Sequence, residues 1–127
     1  MKSTYRSPCI LCVDDETTGL AIRKLTLESQ RYRVLTADNG AEGLAIFSSQ
    51  AIDLVVLDYK MPGMNGFEVL EQARQIRPAM ACMLMTAHGT PDIINEATRL
   101  GFNYILLKPF TPSELRGAVD KVLAGKS

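Results

Sequence analysis

Four short polar signatures in this chain of 127 residues carry side chains suited to phosphate and metal chemistry: Asp14-Asp15, Asp58, Thr86 and Lys108. A carboxylate can attack an electrophilic phosphorus. Three carboxylates brought close together repel and resist ionising as a set. A hard divalent cation relieves that repulsion, and a few carboxylates completed by waters suit Mg²⁺. Lys108 would bring a mobile point charge to a phosphoryl oxygen, and Thr86 a hydroxyl donor. These are the parts of phosphoryl transfer by positioning and charge neutralisation. Singly, each has a plainer use, since an Asp after an apolar run is ordinarily a turn or cap residue. Their shared placement favours the chemistry.

Each of the four closes an apolar run. Cys9 to Val13, Arg33 to Ala37, Ile52 to Leu57, Ala81 to Met85 and Asn103 to Leu107 read as five strands, short and largely apolar as in a buried parallel sheet. Between them lie helix-length crossovers. Thr17 or Thr18 is placed to cap a first helix with Leu20, Ala21, Leu25 and Leu27 turned inward. Ala41, Leu44 and Ala45 mark a second helix. Phe67, Leu70, Ala73 and Ile76 mark a third that Pro78 stops, and Ile93, Ile94, Ala97 and Leu100 a fourth closed by Gly101. Leu115, Ala118, Val119 and Val122 mark the fifth, capped by Thr111 or Ser113. Alternation of this kind gives a parallel sheet with helices on both faces. All the carboxyl ends then share one edge, the edge where open α/β sheets bind ligands. If the first and third strands are neighbours, Asp14, Asp15 and Asp58 converge.

The matching motifs are Val13-Asp14-Asp15, the run from Leu57-Asp58-Tyr59-Lys60-Met61-Pro62 to Gly66, Met85-Thr86-Ala87, and Leu107-Lys108-Pro109-Phe110. In that order and at those separations the chain resembles a response regulator receiver domain over about Cys9 to Leu123. The resemblance implies a doubly wound, flavodoxin-like fold with strand order 2-1-3-4-5. It divides the chain into a tail over 1–8, a receiver domain over 9–124 and a tail over 125–127. It implies that Asp58 takes a phosphoryl group from a sensor histidine kinase or phosphotransfer protein. Asp15, Asp58 and the backbone carbonyl of Lys60 would hold Mg²⁺, with Asp14 acting through water. Lys108 and Thr86 would hold phosphoryl oxygens, small Ala87 would leave room for the group, and the Lys108–Pro109 bond would be cis. Such a domain catalyses only its own phosphorylation and dephosphorylation. It acts on an output domain or partner through the face made by the fourth helix, fifth strand and fifth helix.

Three positions are distinctive. The family usually holds an aromatic residue three before the lysine, but here Ile105 stands there and Tyr104 precedes it. Strand neighbours point to opposite faces, so Tyr104 is expected to pack and not to switch. Lys60 either pairs with phosphoryl oxygens or obstructs the hydrolytic water, or is a solvated loop lysine. His88 is expected to be an exposed loop residue.

Other classes fit less well. A phosphohydrolase working through an aspartyl phosphate needs a second Asp two residues after its nucleophile, where this chain has Lys60. A pseudo-receiver would lack part of the set that is complete here, and no Gly-rich turn for a dinucleotide follows the first strand. Lys plus Arg and Asp plus Glu are 14 each, so no general field draws nucleic acid or an anionic membrane. A homodimer through the fourth or fifth helix is left open by that neutrality. No run approaches the roughly 20 apolar residues of a membrane span, and the polar start lacks a secretory signal. Cys9 and Cys12 lie three apart in a strand and face opposite sides, as buried core thiols. A cytoplasmic location follows as the expectation.

Overall fold

The computed structural model describes residues 7–125. Ten elements alternate: β1 (Cys9–Val13), α1 (Thr17–Glu28), β2 (Arg33–Ala37), α2 (Gly40–Ser49), β3 (Leu54–Asp58), α3 (Gly66–Ile76), β4 (Cys82–Thr86), α4 (Pro91–Leu100), β5 (Tyr104–Leu107) and α5 (Pro112–Ala124). The strands form one parallel sheet in the order β2-β1-β3-β4-β5. This is the expected doubly wound architecture, and β1 and β3 are neighbours. The expected tails extend beyond the described residues at 1–6 and 126–127.

Side-chain alternation along the strands splits the core in two. Leu11, Val13, Val55, Leu57, Cys82 and Leu84 pack with Phe47, Val69, Leu70 and Ala97 on the side of α2, α3 and α4. Ile10, Cys12, Leu54, Val56, Met83 and Met85 pack with Leu20, Leu27, Leu115 and Val119 on the side of α1 and α5. Cys9 and Cys12 fall in opposite halves, as their spacing requires, and all three cysteines are buried.

The helix caps are local. Asn65 and Thr111 each build a capping box with the Glu three residues on, Glu68 and Glu114. Gly101 ends α4 in the left-handed region at φ 90°. The strand starts expected at Ile52, Ala81 and Asn103 move inward to Leu54, Cys82 and Tyr104, while Asp58 and Thr86 end their strands from within. The reason at β3 is local: Asp53 turns its carboxylate back to the Cys9 backbone N–H, which ties the entrance at the edge remote from Asp58.

Three helix faces differ from expectation. In α1 the cap is Glu16, whose side chain accepts from the Gly19 N–H. The inward residues are Leu20, Arg23 and Leu27, while Ala21 is exposed and Leu25 is 69% exposed. Leu25 lies roughly 140° round the helix from Leu20, so one face cannot hold both. In α2 the inward positions are Gly43 and Phe47, with Ala41 and Ala45 outside. There the Val13 side chain fills the space that a Cβ at Gly43 would need, so that turn of helix lies directly on β1. In α3, Val69 goes inside and Ile76 is exposed at the helix end.

Candidate phosphoacceptor and metal site

Register brings the acids together. Val13 pairs with Leu57, so the residues after them, Asp14 and Asp58, sit side by side at the carboxyl edge. The Asp14 N–H donates to Ala37 O, extending the β1–β2 ladder by one residue. Carboxylate oxygens of Asp14, Asp15 and Asp58 all lie within 4.8 Å of one another. Asp14 and Asp58 are buried and Asp15 is exposed, so the cluster opens to solvent on one side.

Parity decides who reaches these acids. Asp14 and Asp58 continue the even positions that face α1 and α5, as does Lys108 after Leu106. The Lys108 Nζ donates to Asp58 Oδ1 at 2.6 Å and lies 3.5 Å from Asp14 Oδ2. Thr86 carries the parity of Cys82 and Leu84 and so belongs to the opposite layer. It is buried, its hydroxyl accepts from the His88 N–H at 2.9 Å, and its carbonyl accepts from the Lys108 N–H at 2.8 Å. The Lys108–Pro109 peptide is cis.

Burial pushes the Asp58 carboxyl above its usual range. The Lys108 hydrogen bond opposes this, while the charge of Asp14 and, less strongly, that of Asp15 add to it. A cluster of hard oxygens whose ionisation is resisted in this way fits a divalent cation with carboxylate and water ligands.

The loops complete the rim. Gly66 opens α3 so close to β3 that a Cβ there would stand 2.7 Å from the Asp58 carbonyl oxygen. Lys60 and His88 are both exposed and border one shallow pocket beside Tyr59 and Asn65. The Lys60 side chain makes no hydrogen bond or ion pair among the described residues. Tyr104 packs toward α5 and Ile105 toward α3 and α4, with no bulge between them.

One residue at the site has no counterpart in the expectations from sequence. Arg23 of α1 is 8% exposed and its Nη2 donates to Asp14 Oδ2. The available signal was a cation at the middle position of the Leu20, Arg23, Leu27 stripe.

The chain belongs to the response regulator receiver domain family, whose pattern it matches over residues 10–120. It is 37% identical over 118 residues to the sporulation initiation phosphotransferase F of Bacillus subtilis, covering 93% of this chain and 95% of that one. Its fold is similar to a CheY-like receiver domain from Methanospirillum hungatei, with TM-score 0.90, 31% identity and coverage of 94% and 96%. It is also similar to response regulator TrrA of Thermotoga maritima, solved in complex with Mg²⁺-BeF, with TM-score 0.82, 33% identity and coverage of 91% and 98%. Other relatives are longer: the chain spans 27% of the Escherichia coli transcriptional regulatory protein GlrR, to which it is 36% identical. This is a receiver domain of the two-component response regulators, a signalling domain. Among the described residues no helix is long and apolar enough to cross a membrane.

Proposed function

We propose that Asp58 is the phosphoacceptor and that Asp14, Asp15, Asp58 and the Lys60 carbonyl hold Mg²⁺. The observation that carries this reading is three carboxylates within 4.8 Å of one another with the Lys108 ammonium 2.6 Å from Asp58. An Asp58 oxygen attacks the phosphorus of a phosphohistidine on a sensor kinase or phosphotransfer protein. The P–N bond breaks as the new P–O bond forms, and the histidine leaves with the electron pair. Lys108 then follows the charge from the carboxylate to a phosphoryl oxygen, and the Thr86 hydroxyl donates to another. Asp14 and Asp15 keep the cluster anionic enough to hold a divalent cation, which supplies charge neutralisation for the phosphoryl oxygens.

Donor access is over α1 and the start of α5. There Ile22, Pro109, Phe110 and Pro112 line an apolar groove with Lys108 at its wall. Phosphorylation biases an equilibrium of the α4, β5 and α5 face that an output domain or separate partner reads. The domain runs over 9–124, works in the cytoplasm and turns over no outside substrate.

Incubation with Mg²⁺ and acetyl phosphate followed by intact mass measurement tests the acceptor. Wild type should gain about one phosphoryl group, and Asp58→Asn none. Equal labelling of the variant would remove Asp58 from this role.

A further inference from the structure

Arg23 is the charged residue on the buried face of α1, between Leu20 and Leu27. It reaches a carboxylate that is itself 1% exposed. Both oxygens of Asp14 are engaged: Oδ1 accepts the Glu16 N–H at 3.0 Å, and Oδ2 receives Arg23 Nη2 with Lys108 Nζ 3.5 Å away. A Cβ at Gly19 would stand 2.4 Å from Glu16 Oε1 and 3.0 Å from Arg23 Nη1, so the glycine lies beside both side chains. The Arg23 Nε is buried with no hydrogen-bond partner among the described residues, so charge on Asp14, and not a full set of hydrogen bonds, accounts for its position.

We propose that Arg23 is a positioning residue that competes with the divalent cation for Asp14, holding the acid cluster together without metal and weakening its metal affinity. The inference rests on the metal site proposed above. Three carboxylates facing Arg23 and Lys108 carry one net negative charge. Without Arg23 they carry two, and a divalent cation enters a more negative pocket. Asp14 Oδ2 is also released to meet a metal-bound water. A cation that merely satisfied a buried carboxylate would do the reverse: its loss would loosen Asp14 and weaken metal binding along with the fold.

Isothermal titration of Mg²⁺ into the metal-free full chain separates the two roles, with thermal unfolding measured on the same samples. Arg23→Met should bind Mg²⁺ about tenfold more tightly than wild type and unfold at lower temperature without metal. Arg23→Lys, which keeps the charge, should stay within about twofold of wild type. Arg23→Gln keeps a donor to Asp14 without the charge; it should tighten binding like Met and gives the same reading if Arg23→Met does not fold. Unchanged or weaker Mg²⁺ binding in the neutral variants, with wild type binding normally, overturns the role of Arg23 and leaves the metal site standing. A wild type that takes up no Mg²⁺ overturns both.

Discussion

Burial and two neighbouring carboxylates act on Asp58 against the single Lys108 ammonium, and its pKa moves upward. A raised pKa means that the folded chain binds this proton more tightly than the unfolded chain. The stability Asp58 contributes is therefore complete below its unfolded pKa and is lost as pH rises through the raised folded value. Above that folded value the ionised side chain opposes folding. Asp58→Asn should therefore raise the urea midpoint of the metal-free protein at pH 7. The difference from wild type should shrink as pH falls through the raised pKa, where wild type becomes neutral too. Urea titrations at a series of pH values check this, and an Asn variant less stable than wild type at pH 7 would contradict it. The acids, Thr86 and Lys108 were legible in the sequence because each closes an apolar run and parallel strands end along one edge. Arg23 was not, because a cation in an amphipathic helix is ordinarily placed on the solvent face, while Leu25 was placed inward.

At the scale of elements, the β3–α3 connection shows how closely the backbone is fitted to Asp58. The Gly66 N–H donates to Tyr59 O at 2.9 Å, and Asn65 caps the helix that begins there. A methyl group at Gly66 would press on backbone, which has no flexible end to yield. Gly66→Ala should destabilise the domain by about 1–3 kcal/mol, the usual result of overpacking. It should also slow labelling by acetyl phosphate, since β3 must shift to admit it. Asn65→Ala serves as the comparison: it costs about 1 kcal/mol through the lost cap and should leave the labelling rate near that of wild type. Similar labelling in both variants would show that Gly66 matters to stability alone. The loop was legible from Pro62, Gly63 and Gly66, and the sheet from its apolar runs. Helix faces were less legible where small residues misled. Ala41 and Ala45 have the spacing of a buried stripe, yet α2 rests on Gly43 because only a glycine lets the helix lie against Val13.

Across the whole molecule, the sheet divides the site between two layers. Asp14, Asp58 and Lys108 belong to the α1 and α5 side, while Thr86 belongs to the α3 and α4 side together with Ile105. On the proposed reading, a phosphoryl group on Asp58 that draws on the Thr86 hydroxyl would act through the sheet edge into the α4 layer. The family's usual aromatic position is in that layer, and this chain fills it with Ile105. Tyr104 points to the other side, against α5. A swinging ring at Tyr104 would break the β4–β5 register, so we propose that the response runs through Thr86, Leu107 and the packing of Ile105. Leu107 is placed for this, since it is 48% exposed and lies where a Cβ on Gly89 of the β4–α4 loop would stand 2.8 Å away. Amide spectra recorded with Mg²⁺ and beryllium fluoride as the phosphoryl mimic should shift at Thr86, across α4 and at Ile105. Tyr104→Phe should leave those shifts in place and alter stability by no more than about 0.5 kcal/mol. Ile105→Ala should cost up to about 2 kcal/mol and diminish the α4 shifts while Asp58 still accepts the mimic. Loss of the α4 shifts in Tyr104→Phe, with Ile105→Ala responding normally, would place the switch on the opposite layer and refute this route.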